Sequence, residues 1–148
     1  MKRGQAAMEF LMTYGWAILV VLIAIGALAY FGVINPERFL PSSCTLSPGL
    51  ACEEWKVSGT TVTLKIRNGM GSDLTINNIA LDVSTPSGIT ATYNNDCTSI
   101  TAGATCTATF GLSSTGTGKF QATINIDYKK SGEELNHTIT GTLTTKFE

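Results

Sequence analysis

The chain has 148 residues, room for one domain with an appended segment, and its 10 basic against 11 acidic side chains give no electrostatic reason to expect a nucleic-acid partner. Only 14% of the residues are charged, and the apolar ones crowd toward the start. Two different materials are therefore joined end to end, with a boundary near Asn35.

The first element is a helix. Residues 10–34 run for 25 positions without one charged side chain, which makes about 37 Å of helix and is long enough to cross a bilayer with some tilt. Leu11, Ile18, Leu19, Val20, Val21, Leu22 and Ile23 occupy every side, so no polar face is left for water. Lys2 and Arg3 precede the run, and the positive-inside bias then places the N-terminus in the cytoplasm and the rest outside. Gly15, Ala17, Ala24, Gly26, Ala27, Ala29 and Gly32 are low points at which another helix could approach closely. Asn35-Pro36 is expected to end or kink the helix, because the residue before a proline is steered away from helical angles. A short resumed turn is expected over Glu37-Arg38-Phe39-Leu40.

Three readings of this segment compete. A plain membrane anchor is the first. The second is a secretory signal, with Ala27-Leu28-Ala29 as the small-residue cleavage triplet, but the apolar run is longer than such signals need, and cleavage there would leave Tyr30-Phe31-Gly32-Val33-Ile34 as a sticky terminus. The third rests on Glu9, a carboxylate at the very start of the apolar run, where it is costly in a membrane and calls for a partner.

The stretch Lys2-Arg3-Gly4-Gln5-Ala6-Ala7-Met8-Glu9-Phe10 resembles the processing site of archaeal type IV pilins, and the likeness continues through Tyr14-Gly15-Trp16-Ala17-Ile18-Leu19 to about Phe39-Leu40-Pro41, roughly the first third of the chain. The resemblance implies a class III signal peptide of residues 1–4, cut by a prepilin peptidase between Gly4 and Gln5. It implies a helix of residues 5–35 that stays on the mature chain, first as membrane anchor and then as filament core. Glu9 would then be the fifth mature residue, the place where this family carries its glutamate. Archaellins share the leader but generally lack that glutamate, so Glu9 favours a pilin over a motility filament. The partners implied are identical subunits in a helical filament, the peptidase and a pilus assembly platform. The cysteine pair after the helix also looks like those of many such proteins.

Physical chemistry fits the resemblance. Cleavage creates an α-amino group at Gln5, whose reference pKa is near 7.7–8.0, beside an apolar bundle. Glu9 of a neighbouring subunit can face it, with an attraction on the order of 4 kcal/mol at about 4 Å and an effective dielectric near 20, before desolvation is subtracted. Such a pair sets register more than it supplies cohesion. A capping carboxylate at a membrane surface is the simpler role for Glu9.

Cys44, Cys52, Cys97 and Cys106 fall as two close pairs beyond the apolar run. Their separations are too wide for zinc knuckles and the chain holds a single histidine, so two disulfides are expected and neither a metal nor a cofactor is. Three connectivities are open. Neighbour pairing, Cys44 with Cys52 and Cys97 with Cys106, closes the shortest loops and is the expected one, at roughly 2–3 kcal/mol each on the chain-entropy model. Disulfides place this part in an oxidising exterior.

Residues 36–53 are expected to be a linker carrying the first disulfide, and residues 54–148 an extracellular β domain. Alternation sets in with Val62, Leu64 and Ile66, and continues in Leu74 and Ile76, then Leu81 and Val83, with a bulge or bend at Asn77-Asn78. Further runs are Ile89, Ala91, Tyr93; Cys106, Ala108, Phe110; Phe120 to Tyr128; and Leu135, His137, Ile139, Gly141, Leu143. Turn signals stand at Asn68-Gly69, Pro86-Ser87-Gly88, Gly116-Thr117-Gly118 and Ser131-Gly132. Six or seven strands so spaced predict an antiparallel sandwich of immunoglobulin-like type, and an α+β chain as a whole.

The many threonines fit a solvated β face, or sugar attached to or bound by that face. Asn136-His137-Thr138 is a formal N-glycosylation sequon, a triplet that so many serines and threonines also produce by chance. No catalytic constellation emerges, and an enzyme is not expected: His137 falls at an inward strand position as a hydrogen-bonded core or rim residue, and the acidic residues are scattered. Asn94-Asn95-Asp96 offers oxygens for calcium without a complete loop pattern. The function expected is that of a structural surface-filament subunit used in adhesion. The alternative is a single-span surface binding or envelope protein that never polymerises.

Overall fold

A computed structural model describes residues 2–33 and 41–148. One long helix, α1 (Lys2–Tyr30), is followed by nine strands: β1 (Ser43–Leu46), β2 (Leu50–Ser58), β3 (Thr61–Asn68), β4 (Leu74–Thr85), β5 (Ala91–Tyr93), β6 (Ser99–Ile100), β7 (Thr105–Leu112), β8 (Lys119–Lys130) and β9 (Asn136–Lys146). The chain divides into two compact units, residues 1–40 and 41–148. The architecture is the expected α+β arrangement of a long apolar helix and a sandwich-like β domain.

α1 is a continuous apolar surface. Gly4–Tyr30, 27 residues at a mean hydropathy of 2.3, is long and apolar enough to cross a membrane, and none of it is buried. Its end differs from the expectation at Asn35-Pro36. Gly32 takes a left-handed φ of 71°, and its N–H donates to the Ala29 carbonyl at 3.1 Å while the Val33 N–H donates to the Leu28 carbonyl at 3.1 Å. These two backward bonds form a Schellman cap, for which a residue without Cβ is suited. The helix thus stops at a glycine several residues before the proline. Asn35-Pro36 and the turn expected over Glu37-Arg38-Phe39-Leu40 lie outside the described residues.

All paired strands are antiparallel, in a five-stranded sheet of order β1-β9-β8-β4-β6 and a four-stranded sheet of order β2-β3-β7-β5. The inward sides meet in one apolar core: Val57, Val62, Leu64, Ile66, Ala108 and Phe110 from the smaller sheet, and Leu74, Ile79, Phe120, Ile124, Ile126 and Leu143 from the larger. Period-two alternation produces this directly, because successive strand residues point to opposite faces.

The strand count exceeds the expected six or seven, for local reasons. β1 and the start of β2 occupy residues assigned to the linker of 36–53, so the β unit begins ahead of residue 54. A register shift between Cys52 and Glu54 changes the phase of β2, which moves its inward positions from Leu50 and Cys52 to Trp55 and Val57 and hides the alternation. β1 is four residues long and lies against β9 at Gly141, where a Cβ would run into the Thr45 carbonyl. β6 has only two residues. Ile89 is buried but precedes β5, and Leu135, expected inside the last strand, is exposed and precedes β9. The irregularity expected at Asn77-Asn78 is present as a register shift between Ile76 and Asn78, within one continuous β4.

Candidate functional site

Gly4, Gln5 and Glu9 all lie on exposed positions of α1. Gln5 and Glu9 are one helical turn apart and share a shallow hollow with Met8, Met12 and Thr13, as side chains four residues apart do. The Thr13 hydroxyl donates to the Glu9 carbonyl at 2.9 Å. Among the described residues no hydrogen bond or ion pair engages the Glu9 carboxylate. The acceptor capacity of this exposed carboxylate is thus unused among the described residues.

Further along, the rings of Phe10 and Tyr14 lie tilted by 31° with centroids 4.6 Å apart. Together with Ala17, Ile18, Val21 and Leu22 they border an apolar hollow of about 330 Å³ along one helix stripe. Ala17 is its low point, the kind of depression into which a side chain of another helix can fit.

In the β unit, the disulfides are Cys44–Cys52 and Cys97–Cys106, the neighbour pairing, with Cα–Cα distances of 5.9 and 5.7 Å. The first ties β1 of one sheet to β2 of the other. The second closes the loop after β5 onto β7, where the Tyr93 hydroxyl donates to the Cys97 carbonyl at 2.6 Å and accepts from the Cys97 N–H at 3.0 Å. Burial raises the pKa of Tyr93 above the ordinary tyrosine value and the Asp96 charge adds to the rise, against the lowering effect of the hydrogen bond to Cys97.

Asp96, a candidate calcium oxygen donor, is held by Thr109, whose N–H donates to one carboxylate oxygen at 3.0 Å and whose hydroxyl donates to the other. Among the described residues no three His, Cys, Asp or Glu side chains gather as a metal site. His137 is a rim residue: it stacks on Tyr128 and its Nε2 lies 2.9 Å from Glu133 Oε2. Asn136 is exposed and accepts a bond from Asn77 Nδ2 at 3.0 Å, while the Thr138 hydroxyl of the same sequon donates to Asp127 at 2.6 Å.

Two residues carry more of the structure than their sequence context suggests. Gly32 is the helix cap described above. Asn68 is fully buried, and its Nδ2 donates to the Ser72 carbonyl at 2.8 Å and the Ile100 carbonyl at 3.0 Å while its Oδ1 accepts from Met70 N–H at 2.9 Å. The Asn68-Gly69 pair signals the turn, but only the fold shows that the asparagine also fastens the β6–β7 region to it. No protein-family model matches this chain, and no curated protein matches its sequence significantly.

Proposed function

We propose that this chain is a structural subunit of a surface filament of the archaeal type IV pilin kind. Before assembly the subunit sits in the cytoplasmic membrane through α1, with the N-terminus inside and the β domain outside. A prepilin peptidase cuts between Gly4 and Gln5, and an assembly platform moves the processed subunit into a helical filament of identical copies. The filament serves adhesion, with the β domain facing the surroundings and Asn136 offering an exposed sequon.

The observation that carries this reading is the conjunction at the start of α1. A helix with apolar side chains on every side and none buried carries, just before its uncharged run, a carboxylate that has no partner among the described residues, four positions after the residue that cleavage would make terminal. An anchor needs the apolar helix, but Glu9 lies beyond the first turn of a helix that begins at Lys2, so it does not cap that helix and only costs insertion energy. A filament uses both, the helix for packing and Glu9 to receive the new amine of the next subunit.

Glu9→Gln separates the two uses with little change in shape. In a filament the loss recurs at every subunit, and even about 1.4 kcal/mol is tenfold in each addition equilibrium. Sheared fibre protein is expected to fall at least tenfold while processed protein accumulates in the membrane, and intact mass is expected to begin at Gln5, with or without loss of ammonia by cyclisation. Fibres at the normal level would end the role assigned to Glu9, a mature chain beginning at Tyr30 would establish a secretory signal, and an unprocessed chain without fibres would establish the non-polymerising anchor.

A further inference from the structure

Asn68-Gly69 is the only asparagine–glycine step in the sequence, and glycine, having no side chain, leaves its backbone nitrogen unhindered. In an open chain that nitrogen can attack the asparagine side-chain carbonyl. The bond from Gly69 N to Asn68 Cγ forms, the Cγ–Nδ2 bond breaks, and Nδ2 departs as ammonia to leave a cyclic imide. Water, the only co-reactant, then opens one of the two carbonyl–nitrogen bonds of the ring. The products are aspartate, or isoaspartate with the main chain rerouted through the side-chain carbons. The fold holds back both the attack and the departure. Asn68 is fully buried, and both groups of the peptide unit that ring closure must turn are engaged: the Asn68 carbonyl accepts from Gly103 N–H at 2.9 Å and the Gly69 N–H donates to the Gly49 carbonyl at 2.8 Å. The leaving nitrogen donates to the Ser72 and Ile100 carbonyls at 2.8 and 3.0 Å, and Oδ1 accepts from Met70 N–H at 2.9 Å. Gly49 precedes β2, Ile100 lies in β6 and Gly103 stands before β7, so these restraints exist only while the strands are assembled.

We propose that Asn68-Gly69 is a self-modification site, held inert by the assembled β unit and released when that unit opens, so that prolonged opening becomes irreversible. The products no longer fit the place that the asparagine occupies. Aspartate keeps the acceptor for Met70 N–H but loses both donors, and it sets a buried carboxylate oxygen against the Ser72 and Ile100 carbonyls, a charge without compensation. Isoaspartate lengthens the main chain by one atom at the end of β3. The bonds on the two sides of it, from Asn68 N–H to the Ala104 carbonyl at 2.9 Å and from Gly69 N–H to Gly49, then fall out of register. A copy that recloses promptly is unchanged, whereas one that stays open is converted and cannot return, because the open state is modified before it refolds. The helix takes no part, and nothing in this inference depends on the filament reading.

The test keeps the full chain in detergent micelles at mildly alkaline pH, with its disulfides intact, either folded or opened in urea. Peptide mapping reads the gain in mass where the amide of residue 68 becomes an acid. Conversion is expected to be about tenfold or more faster in urea, and the fraction that refolds on dilution is expected to fall in step with it. Gly69→Ala separates this site from other damage. Gly69 is outside the left-handed region, and a Cβ there would meet only the Gly49 carbonyl oxygen, at 3.4 Å. In urea the added methyl hinders the attack and is expected to slow conversion about tenfold, and the refolding yield of this variant, taken relative to its own starting value, is expected to hold steady. Asn68→Asp supplies one product directly and is expected to refold with a yield about tenfold below that of the unsubstituted chain. Equal conversion in the folded and opened chains would overturn the protection by the fold. A refolding yield that ignores conversion at residue 68, a decline just as fast in Gly69→Ala, or normal folding of Asn68→Asp would overturn the one-way step.

Discussion

In α1, Leu11, Leu19 and Leu22 leave 62%, 55% and 64% of their surface open, whereas Val62, Leu64 and Ile66 of β3 leave none. The side chains are of one kind; their periodicity differs. The helix closes its backbone hydrogen bonds within itself and is apolar on every side, so it needs no other part of the chain to form, and its side chains stay uncovered. A strand must borrow its hydrogen bonds from neighbours, and its period of two puts half of its residues into a shared core. The β unit therefore supplies its own stability, and the helix is left to be covered by surroundings, whether lipid or other helices.

The sharpest way to break this comparison is to make the same truncation in both regions. Leu64→Ala, at a fully buried position, is expected to destabilise the β unit by about 2–5 kcal/mol. Leu22→Ala in the helix is expected to leave the denaturation midpoint of the β unit unchanged. A matching loss from Leu22→Ala would mean that the two units stabilise each other and that the contrast is false.

Asn68→Ala comes next, because it removes a side chain but leaves the Ser72 and Ile100 carbonyls and the Met70 N–H without their partner. A loss of about 2–3 kcal/mol is expected in chemical denaturation, since stranded buried groups cost more than a net hydrogen bond. A loss below about 0.5 kcal/mol would show that water takes over these bonds. On the helix side, Gly32→Ala forces a side chain into the left-handed region, at roughly 1–2 kcal/mol. Its expected signature is local: amide exchange about tenfold faster at residues 32 and 33, with the β unit unaffected.

Much of this contrast is legible in the sequence, because both patterns are simple. An uncharged run of 25 residues has no alternative to a helix covered by something apolar, and runs such as Phe120 to Tyr128 alternate without interruption. Legibility fails where phase or length fails. β4 contains both Leu74 and Ile76, at even positions, and Ile79, Leu81 and Val83, at odd ones, so it reads as two pieces until the bulge is known. β2 is hidden by its own irregularity, and β1 and β6 are too short to alternate. Gly32 reads as one small residue among seven, since a cap is defined by φ and not by composition. At the candidate site, residue types and spacing make Gly4, Gln5 and Glu9 stand out, but the partner that would face Glu9 lies outside the described chain.

The smallest expected effect tests whether the loop closed by Cys97–Cys106 belongs to the self-sufficient side of the comparison. The folded pKa of Tyr93 is raised, by burial first and by Asp96 second, so the folded state holds this proton more tightly than the unfolded chain, whose tyrosine titrates near 10. Below about pH 10 both states keep the proton and the contribution is fully present. As pH rises above that value the unfolded chain releases it first, unfolding becomes easier, and the stability is lost progressively through the higher folded pKa. Tyr93→Phe deletes the donor to the Cys97 carbonyl and the acceptor of the Cys97 N–H, at about 1 kcal/mol near neutral pH. It also deletes this titration, so the stability gap between the two proteins is expected to narrow above about pH 10. Urea midpoints for both proteins from pH 7 to the alkaline limit of reversible folding measure that gap. A gap constant across the range would mean that the hydroxyl titrates as freely in the folded loop as in the unfolded chain, and that the loop is not closed against water.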